Sequence, residues 1–205
     1  MQDLELWCEN GDCLVHLYGK GHSKRGPALR VSLAAVRASN LSSNFYLCHA
    51  QISAEDGTNH SLDRGHNIDS PVHGLYIPAP EKYTKEAAFR WHLTTRNFFA
   101  FLFGKPLVGV HLGKTLIDLQ ERIHLFRPGN PNNDSDLMEY LKDLGYLEFA
   151  HCPDYSLGLL QFAEHYELKE LWIDAFAHCV GMNEILSESP EFPVCEATQL
   201  LDMPS

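Results

Sequence analysis

Three features of the sequence predict an α/β fold, more narrowly α+β, with a small three-stranded sheet packed against a helical cluster. Its first part reads strand, glycine-rich turn, strand, helix. Its middle carries Phe98-Phe-Ala-Phe-Leu-Phe103, four phenylalanines and a leucine in six residues, cut off by Gly104 and Pro106. Its last third repeats apolar residues at helical spacing. A helix that is apolar on every side must be enclosed by other elements, so Phe98–Phe103 is expected at the centre of a core.

Taken in order, Asp12-Cys-Leu-Val-His-Leu-Tyr18 reads as a strand. Gly19 to Pro27 is rich in turn residues and positive charge and forms a hairpin loop. Ala28–Val31 returns as a second strand, and Ser32 is placed to cap a helix over Leu33–Ser39. The polar segment 51–71 reads as a long loop or insertion, and Val72–Ile77 as a third strand before Pro78 and Pro80. A long helix is expected from about Lys82 to Phe103.

Beyond it, Leu116, Leu119, Ile123 and Phe126 step by three or four through a helix over Thr115–Phe126. The stretch 127–136, dense in Pro, Gly and Asn, reads as a linker, followed by a short helix over Leu137–Leu144. Leu157–Tyr166 is a further helix with Leu159, Leu160, Phe162 and Ala163 inward. Leu168, Leu171, Trp172, Ala175, Phe176, Cys179 and Val180 then form a stripe expected to be buried, closed by Gly181. Residues 187–205, with three prolines and four acids between Ser187 and Ser205, read as a loosely packed acidic tail. The domain expectation is one unit over 1–186, with insertions at 51–71 and 108–150, then the tail 187–205.

Composition narrows the function classes. The 205 residues are 44% hydrophobic and 21% charged, as in an ordinary globular protein. No apolar stretch reaches the length of a membrane span, and the first residues have neither the basic nor the apolar region of a signal peptide. The six cysteines are scattered rather than arranged as a compact framework, and reduced thiols are expected. Charge is unevenly placed. Residues 1–130 hold 14 basic and 12 acidic side chains, whereas 131–205 hold 2 and 15. An acidic third repels phosphate, so nucleic acid is not an expected partner of that part.

Three stretches resemble the BTB/POZ family. Ala28-Leu-Arg-Val-Ser-Leu-Ala-Ala-Val-Arg-Ala-Ser-Asn40 looks like its second strand and first conserved helix. Phe98-Phe-Ala-Phe-Leu-Phe-Gly-Lys-Pro-Leu107 is similar to its "Leu-Leu-x-Phe-Leu-Tyr-Thr-Gly" helix end. Leu159-Leu-Gln-Phe-Ala-Glu-His-Tyr-Glu-Leu-Lys-Glu-Leu171 looks like its paired-helix motif. The three occur in the family's order and cover about a third of the chain; the excess length lies in 51–71, 108–150 and the tail. Glu5-Leu-Trp-Cys-Glu-Asn-Gly-Asp12 and Arg96–Leu102 also resemble uncharacterised filamentous-fungal proteins, a resemblance that implies no function. The BTB/POZ resemblance implies an α/β interaction module that recruits protein partners.

Chemistry-bearing patterns are sparse. Val108-Gly-Val-His-Leu-Gly-Lys-Thr115 approaches a phosphate-binding loop, but Val108 stands where its first glycine is required, so the stretch reads as a loop capping a helix that begins near Thr115. Cys48-His49, His151-Cys152 and His178-Cys179 are adjacent pairs, and adjacent residues cannot aim two side chains at one zinc ion. Cys8 and Cys13 form no four-ligand set, and Cys179 falls on the apolar stripe and reads as core. His60 and His66, with Asp56, Asp63 and Asp69, read as solvated loop residues. No nucleophile elbow or reactive-cysteine signature is present. No catalytic, cofactor-binding or metal-binding residue is therefore assigned.

The expected interaction surface is Lys20, His22, Lys24 and Arg25 at the hairpin tip, together with Glu164, Glu167, Glu170 and Asp174 in the acidic third. The tip, with Arg30 beside it, has no interleaved aromatics to stack bases. It could instead meet the acidic third of a second copy, giving head-to-tail association. The leading expectation is a cytoplasmic or nuclear adaptor without chemistry of its own, with a protein partner or a second copy and neither nucleic acid nor membrane. The alternative is a small metal- or ligand-binding enzyme using histidines around 49–73 and 111–124.

Overall fold

The computed structural model describes residues 2–22, 25–41, 45, 51–54 (backbone only) and 72–195. They hold seven α-helices and one four-stranded sheet, an α+β fold. The chain divides into two compact units, one of residues 1–105 and 124–130, the other of 106–123 and 131–205. Among the described residues no helix is long and apolar enough to cross a membrane.

The first unit is built on β1 (Cys13–His16), β2 (Leu29–Val31), β3 (Gln51–Ala54) and β4 (His73–Tyr76), in the sheet order β2-β1-β4-β3. β1 pairs antiparallel with β2, which sets Cys13 opposite Val31 and Val15 opposite Leu29, all four buried. Alternation along the pleat explains this, since every second side chain faces the core. β4 lies parallel to β1 and places Leu75 beside Val15. The three strands read from the sequence are thus neighbours. β3 adds a fourth, antiparallel to β4, at the start of the segment expected to be a loop. An edge strand is held through backbone N–H and C=O groups, so Gln-Ile-Ser-Ala needs no apolar run to join. The remainder of the 51–71 insertion lies outside the described residues, with Asp56, His60, Asp63, His66 and Asp69, as does the Cys48-His49 pair.

Helix α1 (Leu33–Ala38) starts where expected: the Ser32 hydroxyl accepts from the Ala35 N–H, and the Asp12 carboxylate accepts from the Leu33 N–H at 2.7 Å. Helix α2 (Lys85–Leu102) begins at Thr84, whose hydroxyl accepts from the Ala87 N–H. Phe98, Phe99 and Ala100 have no exposed surface, and Phe101 is buried. The Phe98 ring meets Phe126 edge-on with centroids 5.0 Å apart, and Phe45 and Trp91 close on the same Phe126 ring. Gly104 ends the helix at φ +59°, a conformation that favours glycine, and the Lys105 N–H returns to the Ala100 carbonyl at 2.8 Å.

Among the described residues of this unit two arginines are buried, Arg96 and Arg127. A buried guanidinium must be paired. The Nε of Arg96 donates to Asp3 at 2.7 Å and its Nη2 to Glu5 at 3.0 Å. Asp3 also accepts from the N–H groups of Glu5 and Leu6, which caps the Leu4–Leu6 turn. Burial alone would raise the Asp3 carboxyl, but the hydrogen bond and charge of Arg96 outweigh it and hold the group below the usual carboxylate range.

The second unit contains most of α3 (Leu112–Phe126), then α4 (Asn133–Asp143), α5 (Pro153–His165), α6 (Lys169–Gly181) and α7 (Asn183–Leu186), and a turn of 3-10 helix at Phe192–Val194. Leu116, Leu119 and Ile123 are fully buried, as their spacing predicts. Gly113 and Gly158 let α3 and α5 approach: a Cβ on Gly158 would lie 2.9 Å from the Leu112 Cβ. Among the described helices, α5 and α6 form the most extensive pair.

Three expectations about the extent of elements change in this unit. Helix α3 begins at Leu112 rather than near Thr115, because its first N–H groups find a partner far away in sequence, described below. Residues 133–136, read as linker, form the first turn of α4, where the Gln120 amide donates to the Asp134 carboxylate. The expected loose tail is packed as far as Cys195: Leu186, Ser189, Glu191 and Cys195 are all buried. Residues 196–205 lie outside the described residues.

Candidate functional site

Two regions of the second unit are candidate sites, and they differ in kind. The first is a cavity of about 310 Å³ between the α3 entry loop, Tyr146, the start of α5 and the 190–191 turn. Its size is at the lower end for small-molecule sites. Glu191 is its central group. Both carboxylate oxygens are engaged, accepting from the N–H groups of Leu112 and Gly113 in the first turn of α3. A helix N-terminus leaves several N–H groups without an internal partner and carries partial positive charge, so a carboxylate is a fitting cap. The anion place that the 108–115 stretch half-resembles is therefore filled by the protein's own side chain.

Around Glu191, His111 Nδ1 lies 3.9 Å from the carboxylate. The Ser189 hydroxyl donates to Asp154 at 2.6 Å, and the Tyr146 hydroxyl accepts from the Leu107 N–H at 2.9 Å. Burial pushes the Glu191 carboxyl up; the two N–H groups and His111 pull it down, Asp154 adds a small upward push, and the net is above the usual range. The arrangement fastens the 189–195 segment to α3. With both oxygens committed to backbone donors, Glu191 is better placed as a cap than as a proton carrier for a substrate.

The second region is the outer face of α6. Of the stripe expected to be buried, only Ala175 and Cys179 are inside. Burial raises the Cys179 thiol to about 12, which makes it an inert core group. Leu171, Trp172 and Phe176 are half-buried, while Leu168 and Val180 are exposed. Ile173, at 51% exposure, and Val180, at 53%, stand open to solvent with Ala177 between them. Trp172 and Phe176 stack nearly parallel at 4.8 Å and form a flat aromatic step at the edge of this surface.

The predicted surface residues fall in both units. In the first, Lys20 and His22 are exposed at the hairpin tip, and exposed Arg25 donates to the Tyr18 hydroxyl at 3.0 Å with its guanidinium over the same ring. Lys24 lies outside the described residues. In the second, Glu164, Glu167, Glu170 and Asp174 are all exposed along the end of α5, the turn after it and the first half of α6. Glu191, Asp154 and Ser189 were not singled out from the sequence, since they meet only in the folded unit.

Among the described residues no three His, Cys, Asp or Glu side chains converge to hold a metal ion. His111 lies beside the Glu191 carboxylate, and His124 is exposed. The five described cysteines are free thiols.

Residues 134–201 match a family model described as a domain of unknown function, DUF8004. The match begins in α4 and takes in α5, α6, α7 and Glu191. No curated protein and no solved structure matches the chain.

Proposed function

We propose that this protein is a BTB/POZ-like interaction module, an adaptor of the cytoplasm or nucleus that binds a protein partner and performs no reaction itself. The observation that carries the reading is the α6 surface. It exposes Ile173 and Val180 beside the Trp172–Phe176 step, in a unit whose other helices bury their large apolar groups more fully. Exposed contiguous apolar surface with a charged border is characteristic of protein docking sites. The element order supports the family part of the reading: a β1–β2 hairpin, α1, β4 parallel to β1, the long α2, and later the α5–α6 pair follow the order of the three motifs.

Pull-down with the tagged full chain from its native cells tests the reading. Neutralising the acidic surface (Glu164→Gln, Glu167→Gln, Glu170→Gln and Asp174→Asn together) is expected to release the partner that the unaltered chain captures. Capture of the same proteins by both forms would reject the acidic surface as the docking face.

A ligand-binding enzyme is the second reading, and the Glu191 cavity is the observation that favours it. It ranks lower because the carboxylate is spent on Leu112 and Gly113. Metal analysis of untagged protein separates the two readings: stoichiometric zinc released only on denaturation would overturn an adaptor without a cofactor.

A further inference from the structure

Resting on the interaction-module reading, the geometry of α6 points to the kind of partner. We propose that the stripe Trp172, Ile173, Phe176, Ala177 and Val180 receives a basic amphipathic helix of a partner protein. At 3.6 residues per turn, positions one, four, five and eight after Trp172 fall on one arc of the helix. These five side chains are apolar and each is exposed or half-buried, with Lys169 at the N-terminal end of the same arc. Ridges spaced by four, here Trp172–Phe176–Val180 and Ile173–Ala177, are what a second helix packs between. The stacked indole and phenyl rings supply the large rigid contacts that dominate binding energy at interfaces.

Charge selects among the occupants. Glu170 and Asp174 precede Ile173 and Ala177 by three residues, so they border the stripe along one edge. Glu164 and Glu167 lie before the helix, and Glu184 and Glu188 after it. Between residues 164 and 188 these six exposed acids face a single lysine, Lys169. A partner must therefore bring apolar anchors flanked by cations. The chain's own basic stretch, Gly19-Lys-Gly-His-Ser-Lys-Arg-Gly26, has the charge without the anchors. Its last stretch, Glu196-Ala-Thr-Gln-Leu-Leu-Asp-Met-Pro-Ser205, has leucines but is acidic and would be repelled by the border. A helix with one leucine face and a lysine or arginine margin meets both requirements.

The test is fluorescence anisotropy with a labelled synthetic peptide that forms an amphipathic leucine–lysine helix, titrated with the full chain. The control peptide carries glutamate at every lysine. Saturable binding of the lysine peptide alone is expected. Ile173→Glu with Val180→Glu should weaken it at least about tenfold, the scale of losing one or two buried aliphatic contacts. Glu170→Lys with Asp174→Lys should weaken it severalfold and flatten its dependence on salt. Both pairs are exposed, and unchanged circular dichroism checks the fold; Ile173→Ser with Val180→Ser serves if the glutamates prevent folding.

Equal affinity of the unaltered chain and the Ile173/Val180 variants, or equal binding of both peptides, overturns the proposal. So does a concentration-dependent dimer abolished by those variants, which assigns the face to a second copy. Binding seen only after removing 196–205 assigns it to the chain's own segment and overturns the proposal as well. Native partners captured equally by the unaltered chain and the Ile173/Val180 variants, but lost on acid neutralisation, would leave the adaptor reading standing while this inference falls.

Discussion

Helices α2 and α6 look alike as sequence and end in opposite situations. Each carries a dense group of aromatic and aliphatic residues, Phe98–Phe101 in one and Leu171–Val180 in the other. In α2 the group is sealed: Phe98 and Phe99 have no exposed surface and their neighbour Phe126 takes ring contacts from three sides. In α6 only Ala175 and Cys179, two small side chains, face inward, while the larger ones remain open or half-open. The difference teaches that apolar content measures the demand for burial and not its supply. A helix is covered only where other elements present a matching surface, and the uncovered remainder is available to a partner.

The sharpest way to break this comparison is truncation at matched positions. Phe98→Ala is expected to cost about 3–5 kcal/mol, because it deletes a fully enclosed ring and leaves a cavity. Urea unfolding monitored by circular dichroism reads this directly. Ile173→Ala on the outer face of α6 should change stability by no more than about 0.5 kcal/mol, as at other open surface positions. If the two substitutions cost the same, α6 is enclosed and its role as a docking face is lost.

Between these extremes lie the polar ties. Asp3→Asn removes one of the carboxylates that pair the buried Arg96 guanidinium and is expected to cost about 1–3 kcal/mol. Its pH signature is distinctive. The Asp3 carboxyl titrates below its usual range when folded, so its contribution is present above the unfolded pKa and fades as pH falls through the folded one. Acid unfolding of the unaltered chain should show this loss, and the Asn variant should not.

Glu191→Ala should cost a comparable amount, about 1–3 kcal/mol, by exposing the Leu112 and Gly113 N–H groups without a partner. Here the sign reverses. The Glu191 carboxyl titrates above its usual range, so the folded chain retains a proton that the unfolded chain releases. Stability associated with it is complete below the unfolded pKa and declines as pH rises through the folded value. Denaturation midpoints from the ordinary carboxylate range upward should fall in the unaltered chain and remain flatter in Glu191→Gln.

Smaller again is Gly158→Ala. The added methyl meets Leu112 at 2.9 Å, and the side chain can yield only partly, so a loss of about 1–2 kcal/mol is expected in the same urea measurement.

Legibility followed the range of the interaction. The β1–β2 hairpin, the Ser32 cap, the end of α2 at Gly104 and the inward set Leu159, Leu160, Phe162 and Ala163 were readable because each is decided within a few residues. The exposed acids Glu164, Glu167, Glu170 and Asp174 were readable for the same reason, since charged groups that lack buried partners stay in water. β3 escaped notice because edge pairing leaves little mark in side-chain pattern. Packing of the 187–195 stretch escaped because prolines and acids suggest looseness until one of those acids, Glu191, is given a helix end to cap.

By itself, then, the sequence determined that β1, β2 and β4 extend, that α1, α2, α5 and α6 coil, where α2 stops, and that its last third is acidic. These are matters of backbone preference, spacing and net charge. The tertiary structure alone decided that α6 shows its apolar stripe to solvent and that Glu191 closes the start of α3. Burial and capping depend on which surfaces meet, and the partners of Leu112 and of Ile173 are set by the packing of distant parts of the chain and not by their neighbours in it.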